Sequence, residues 1–296
     1  MPTLKDVELK ITAVKKTKQI TKAMNMVAAS RLRGAQTAMD AFGPYAGKFA
    51  EVLGSLAEKS GEEASPLLVP KDEVKTVHLV LMTSDRGLCG GFNANLIAMA
   101  ESLAKEMKEK GRELSFSCFG KKGRDWARKT DMPVINEHLG VVGGNFDFSA
   151  ASNPGRLLIE SFLDGTYDEV HLIYSEFRGM ARQVPIPKQL LPIPPIEAEE
   201  EDLDEDKPFL AEHIAEPSAE ELLGEMLPRN VYVHIYNALL ETSTSEHAAR
   251  MTAMDNATKA CNDMIENLTL AYNKARQAAI TAELMDIVGG AEALKG

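Results

Sequence analysis

The sequence predicts an α/β protein with long helices, in which the two ends of the chain pair as an antiparallel coiled coil and the middle forms a sheet domain. Three observations carry this. From Met251 the residues Met251, Met254, Thr258, Cys261, Ile265, Leu268, Tyr272, Ala275, Ala279 and Ala282 follow at alternating steps of three and four, a heptad seam. The N-terminal stretch carries a second stripe, Leu4, Val7, Ile11 and Val14, continued through Ile20, Met24, Val27 and Leu32. Between them, short apolar runs alternate with amphipathic stretches, the order that builds a mostly parallel sheet with helices on its faces. A long helix with one narrow seam has no core of its own, so each end is expected to cover the other.

Taken in order, Thr3 is placed to cap a first helix that starts at Leu4. Gly43-Pro44 is expected to kink or interrupt it near Phe42, because proline lacks a donor and clashes with the preceding turn. Tyr45, Phe49, Val52, Leu53 and Leu56 extend the apolar face to about Lys59, and the first forty residues alone make a rod of roughly 60 Å. After a loop over 60–72, strands are expected at 77–82, 114–119, 134–135 and 169–175. Helices are expected at 93–110 and 121–128, with a third capped by Asn153 and running to Phe162. This alternation predicts a Rossmann-like central domain over 73–195. The proline-rich stretch 185–195 fits only an edge strand. An acidic loop over 197–206 and a return strand at 209–214 fill 196–217. Ser218 and Glu221 form a capping box for the last helix, which Pro228 kinks, the hydroxyl run Thr242–Ser245 weakens, and Gly289-Gly290 ends. The shaft is thus discontinuous in sequence, 1–59 with 218–296.

Charge is unevenly placed. The chain carries a net charge of −11, yet residues 1–33 hold eight basic side chains against Asp6 and Glu8, a local +6. A basic rod on an acidic protein points to an anionic partner along the rod, either nucleic acid or an acidic protein collar. Cys89, Cys118 and Cys261 make no CxxC pair and read as small buried hydrophobes in a reducing compartment. No apolar run reaches the roughly 18 residues of a membrane span. Gly87-Leu-Cys-Gly-Gly91 lies between a strand and a helix, where phosphate loops occur, but Phe92-Asn93 stands where a Walker A loop has Lys-Ser/Thr. It reads as a tight turn that allows close helix–strand packing. The six histidines lie singly, and no residue pattern assembles a catalytic, cofactor or metal site.

Four stretches together resemble a known family: Ile20-Thr-Lys-Ala-Met24-Asn-Met-Val-Ala-Ala-Ser30, Thr83-Ser-Asp-Arg-Gly-Leu-Cys-Gly-Gly-Phe-Asn-Ala-Asn95, Ser245-Glu-His-Ala-Ala-Arg-Met251, and Tyr272-Asn-Lys-Ala-Arg-Gln-Ala-Ala-Ile-Thr281 running on to Ile287-Val-Gly-Gly290. They are similar to the γ subunit of bacterial F-type ATP synthases. The resemblance implies a non-catalytic central-stalk rotor without cofactors. It would couple ion-driven c-ring rotation to conformational changes at β-subunit catalytic sites and so serve proton transport and ATP synthesis. Implied partners are the α and β subunits of the catalytic ring, the ε subunit and the c-ring, with no nucleic acid. The chain would lie at the cytoplasmic face of the plasma membrane, held there through the complex and not inserted. Residue by residue, Lys22 and Met24 match shaft positions facing an acidic β-subunit loop, and Glu246, Arg250, Gln277, Thr281 and Glu283 match positions implicated in shaft contacts and coupling. Leu284, Ile287 and Val288 are expected to form an apolar shaft tip. A surface i,i+4 ion pair is the plainer reading of Glu246 and Arg250. The alternative from a different class is a nucleotide- or nucleic-acid-binding α/β protein with coiled-coil arms.

Overall fold

The computed structural model describes residues 3–60, 65–71, 73–194 and 218–293. The acidic loop 197–206 and the return strand 209–214 expected from sequence lie outside the described residues. Contacts divide the chain into two compact units. One joins Met1–Ala28 with Met251–Gly296, and the other is Ala29–Arg250. The boundaries anticipated from sequence fall at element ends, whereas these cut inside both long helices. The reason is packing: Leu53, Leu56, Leu223, Leu227, Val231 and Ile235 of those helices belong to the core of the α/β unit.

The elements run α1 (Leu4–Ser60), β1 (Thr76–Met82), α2 (Phe92–Glu109), β2 (Glu113–Phe119), α3 (Lys121–Lys129), β3 (Val134–His138), α4 (Ser149–Leu163), β4 (Glu169–Phe177), β5 (Gln183–Leu191) and α5 (Ala219–Ala293). The sheet order is β3-β2-β1-β4-β5, with β4 and β5 antiparallel and the other pairs parallel. β1 is nearly all buried because it is central, and its side chains alternate between two cores. Val77, Leu79 and Leu81 meet α2 and α3 on one face, and Val80 and Met82 join α4, α5 and α1 on the other. β5 holds the edge, where Pro185 and Pro187 are tolerated opposite Ser175 and Ile173. At the bottom of β1 and β4, the Asp168 carboxylate accepts from the Lys75 and Thr76 amides and pairs with Lys71 at 2.8 Å. Burial works against its charge, but these partners outweigh it and hold the carboxyl well below the usual range.

Several expectations need correction. Of the kink or interruption expected at Gly43-Pro44, no interruption occurs, α1 being continuous there as α5 is through Pro228. Tertiary packing overrides the proline cost here: Phe42 meets Tyr236 edge-on at 4.8 Å, and Leu53 and Leu56 anchor the following turns. Gly289-Gly290 does not end α5, which runs to Ala293. α4 starts four residues before Asn153, because the Asp147 carboxylate takes the Ser149 amide and hydroxyl and turns the chain into the helix earlier. The Thr3 cap forms, with reciprocal bonds to Asp6, and the Ser218 hydroxyl accepts the Glu221 amide.

Within the first unit, α1 and α5 pair antiparallel. Thr21 Oγ1 lies 2.8 Å from Thr258 Oγ1, and the Asn25 amide donates to the Met251 carbonyl at 2.8 Å. On α5 the expected seam is covered from Met251 to Ala279, and Ala282 is exposed. Continued at the same register, the first residue of α1, Leu4, falls opposite about Ala275, so the cover runs out where the burial does. On α1 the seam differs from the one read in sequence. It keeps strict three-and-four steps through Val14, Lys18, Thr21, Asn25, Ala28 and Leu32, leaving Ile20 60% and Val27 56% exposed. Apolarity favoured Ile20 and Val27, but helical spacing decides the face, and three polar residues occupy it.

Candidate functional site

In a parallel sheet of this order the strand connections change direction between β1 and β4, and the crevice at the carboxyl ends of those strands is where such folds bind ligands. Here α5 fills it. Thr242, Ser243, Thr244, Ser245, Glu246 and His247 are all buried, so the stretch read as a weak point is among the most enclosed parts of the helix. Hydroxyl side chains are poor helix formers because they seek other partners, and in this crevice they find them. The Ser175 amide at the end of β4 donates to Thr242 Oγ1 at 3.3 Å, and Ser245 Oγ donates to the Ser175 carbonyl at 3.2 Å. Two residues on, the Phe177 amide donates to Glu241, which also accepts from Asn237.

The same segment reaches the loops after β1 and β3. Arg250 Nη1 donates to the Gly87 carbonyl at 2.7 Å, and its Nε and Nη2 hold Glu246 Oε1. Gly143 donates its amide to Ser243 Oγ at 3.1 Å and accepts Arg31 of α1 on its carbonyl at 3.2 Å. Glu246 is 3% exposed. Burial opposes its charge, and His247 and Arg250 more than reverse that effect, holding the carboxyl below its ordinary range. His247 Nδ1 stands 2.8 Å from Glu246 Oε2 but off the angle of a hydrogen bond. Glu246 and Arg250 are therefore an i,i+4 pair turned into their own domain. The burial corrects the surface-pair reading.

The Gly-rich loop is shaped by its own polar groups. Ser84 Oγ donates to the Arg86 carbonyl at 2.6 Å, and Asn93 bonds Ser84. Leu88 and Gly90 take left-handed backbone angles, φ 65° and 59°, so the tight turn is as expected. A Cβ at Gly87 would meet open space and one at Gly91 only ordinary contact with Asn95, so close helix–strand packing does not require glycine at those two positions. The backbone is crowded one crossover away, where Gly120 (φ 90°) brings its α-carbon so near the Thr83 carbonyl that a Cβ would sit 2.1 Å from the oxygen. Cys89 and Cys118 are buried, as the sequence suggests, and burial pushes both thiols up; Cys261 is half-buried in the seam.

The remaining sequence-derived positions lie in the coil. Lys22, Gln277, Thr281 and Glu283 are exposed and Met24 is half-buried. Leu284, Ile287 and Val288 are 56–67% exposed, past the end of the α1 cover. Ile20 and Val27 are exposed on one flank of the α1 seam and Met26, with Lys22 one turn before it, on the other, as spacing taken strictly from Val14 would have revealed. No described helix is long and apolar enough to cross a membrane.

A family model described as ATP synthase matches residues 3–294. The chain is 69% identical to the ATP synthase gamma chain of Desulfosudis oleivorans over the full length of both, and 62% identical to that of Desulforapulum autotrophicum over 99% of this chain and 100% of that one. Among solved structures it resembles a chain of the Tetrahymena thermophila mitochondrial ATP synthase central stalk/c-ring, at 27% identity and TM-score 0.57 over 80% of this chain and 99% of that one. It shares its fold with a chain of the Euglena gracilis mitochondrial ATP synthase rotor, at 19% identity and TM-score 0.65 over 94% of this chain and 98% of that one. The chain belongs to the ATP synthase gamma chain family, the gamma subunits of the ATP synthase central stalk.

Proposed function

We propose that this chain is the turning shaft that couples ion-driven rotation of a c-ring to conformational changes at β-subunit catalytic sites, and that it performs no catalysis itself. The observation that carries the reading is the antiparallel pairing of α1 and α5 along a seam covered from Met251 to Ala279. A shaft biases a catalytic subunit only through contacts that differ between its states, so it must present unlike faces as it turns. This coil has such faces. Basic side chains and the exposed apolar residues Ile20, Val27 and Met26, on opposite flanks of the seam, line α1, and Gln277, Thr281 and Glu283 line α5. Lys22, Met24, Gln277, Thr281 and Glu283 are the positions we assign to contacts with the α/β catalytic ring, and Leu284, Ile287 and Val288 to an apolar tip. Glu246 and Arg250 are assigned to the same shaft contacts and coupling, with Arg250 also holding the Gly87 loop. The ε subunit and c-ring are the partners of the α/β unit, and the complex holds the chain at the cytoplasmic face of the membrane, where it serves proton transport.

The test is co-purification of tagged full-length chain from its own cells. Recovery of α, β and ε subunits supports the reading. Recovery without them, together with salt-sensitive nucleic-acid binding, favours the coiled-coil-armed nucleic-acid binder instead.

A further inference from the structure

The segment Thr242–Arg250 makes more directional bonds than holding a helix against a sheet requires. Apolar contact alone fixes distance but not rotation, because burial is non-directional and side chains repack. A hydrogen bond weakens steeply with angle. About two and a half turns of α5 are bonded to the end of β4 through Thr242 and Ser245, to the β3–α4 loop through Ser243, and to the β1–α2 loop through Arg250. Gly143 sits at the centre of this belt. It bonds Ser243 and Arg31 with its two backbone groups, and a Cβ there, at φ 73°, would stand 3.1 Å from the Glu246 carboxylate. Turning α5 by a single residue, about 100°, would take all of these groups off their partners at once.

We infer that this polar belt is an azimuthal lock: Thr242, Ser243 and Ser245 are positioning residues that fix the rotation of α5 relative to the sheet, so that torque enters the helix without slip. The inference rests on the shaft reading above. It assigns to the hydroxyl run a task that apolar packing of equal area would not perform, and it extends the tie to α1 through Arg31.

The experiment uses the assembled complex, with the catalytic ring fixed to a surface and a bead attached through Lys122→Cys on α3. The angular variance of the bead is measured while the rotor is held at one dwell. The triple variant Thr242→Val, Ser243→Ala, Ser245→Ala keeps shape and removes the bonds, and it is expected to raise the variance at least two-fold. Thr242→Ser, which keeps the hydroxyl, is expected to stay near the parent value. Unchanged variance in the triple variant overturns the lock, since a merely stabilising role would alter assembly yield or melting but not stiffness. A variant that no longer assembles assigns the segment to folding alone and overturns it as well. A parent complex that hydrolyses ATP without turning this chain removes the shaft reading itself, whereas turning with unchanged variance removes only the lock.

Discussion

Thr21 Oγ1 and Thr258 Oγ1, 237 positions apart in sequence, lie 2.8 Å apart inside the coil seam. Each hydroxyl has one proton, so one donates across the seam while the other donates to its own helix, and each has a local acceptor to turn to, the Lys18 carbonyl for Thr21 and the Met254 carbonyl for Thr258, if its partner is lost. With Asn25 bonding the Met251 carbonyl one turn away, the pair specifies register. Thr21→Val and Thr258→Val should each cost at most about 1 kcal/mol, with a coupling of roughly 0.5–1.5 kcal/mol in a double-mutant cycle on the full chain. Additive effects would show that the hydroxyls do not interact.

Acid should destabilise the α/β unit in a defined window. His78 lies fully buried between the Ser115 and Ser117 hydroxyls, stacked on Tyr167, and burial pushes it down to about 4 from 6.5. His234 is likewise pushed down to about 4, by burial and then by the charge of Lys188, whose Nζ lies 3.2 Å away. Both are neutral in the fold and protonate first in the unfolded chain, so unfolding takes up protons as pH drops. Stability is full above pH 6.5 and falls as pH goes toward 4, by about 3 kcal/mol for each histidine. Urea titrations of the full chain across that range check this, and a flat profile contradicts it.

Pro44 stands exposed inside α1, where it removes one helical hydrogen bond without contributing core contacts. Pro44→Ala should therefore stabilise the full chain, by about 1–3 kcal/mol after allowing for the freer unfolded state. A loss of stability would mean that the proline is needed for the path of the helix.

Met24→Lys tests the ring-facing surface. On the proposed reading Lys22 and Met24 face an acidic β-subunit loop, and an added cation there is expected to hold the rotor at one angle. ATP-driven proton pumping per ATP hydrolysed should fall while hydrolysis persists. Normal pumping at normal hydrolysis removes the assignment.

Charged replacements at Leu284, Ile287 and Val288 together should weaken assembly or coupling, because the exposed tip is taken to turn in an apolar sleeve. Full assembly and coupling in that variant would leave the tip without a role.

What the sequence made legible follows from what each feature depends on. The α5 seam was readable because coverage of a coil depends on spacing alone, and spacing survives its change from Met and Ile to Ala. The α1 seam was half readable: from Lys18 to Asn25 its residues are polar, and the apolar Ile20 and Val27 next to them drew the stripe off its true face. The central strand β1 was plain because a central parallel strand is apolar nearly throughout. The belt at Thr242–Arg250 was hidden, since its partners Ser175, Gly143 and Gly87 stand 67 to 163 positions upstream, and a run of hydroxyls looks weak until those partners arrive. Asn153 misled because a cap is a local signal, and Asp147 offered an earlier one.

The measurement that bears most directly on the central claim is ATP-driven rotation of a bead attached to this chain in the purified α, β and ε complex. The account predicts continuous rotation in one direction that stops when hydrolysis stops. A complex that hydrolyses ATP at its full rate while the chain stays still would contradict it.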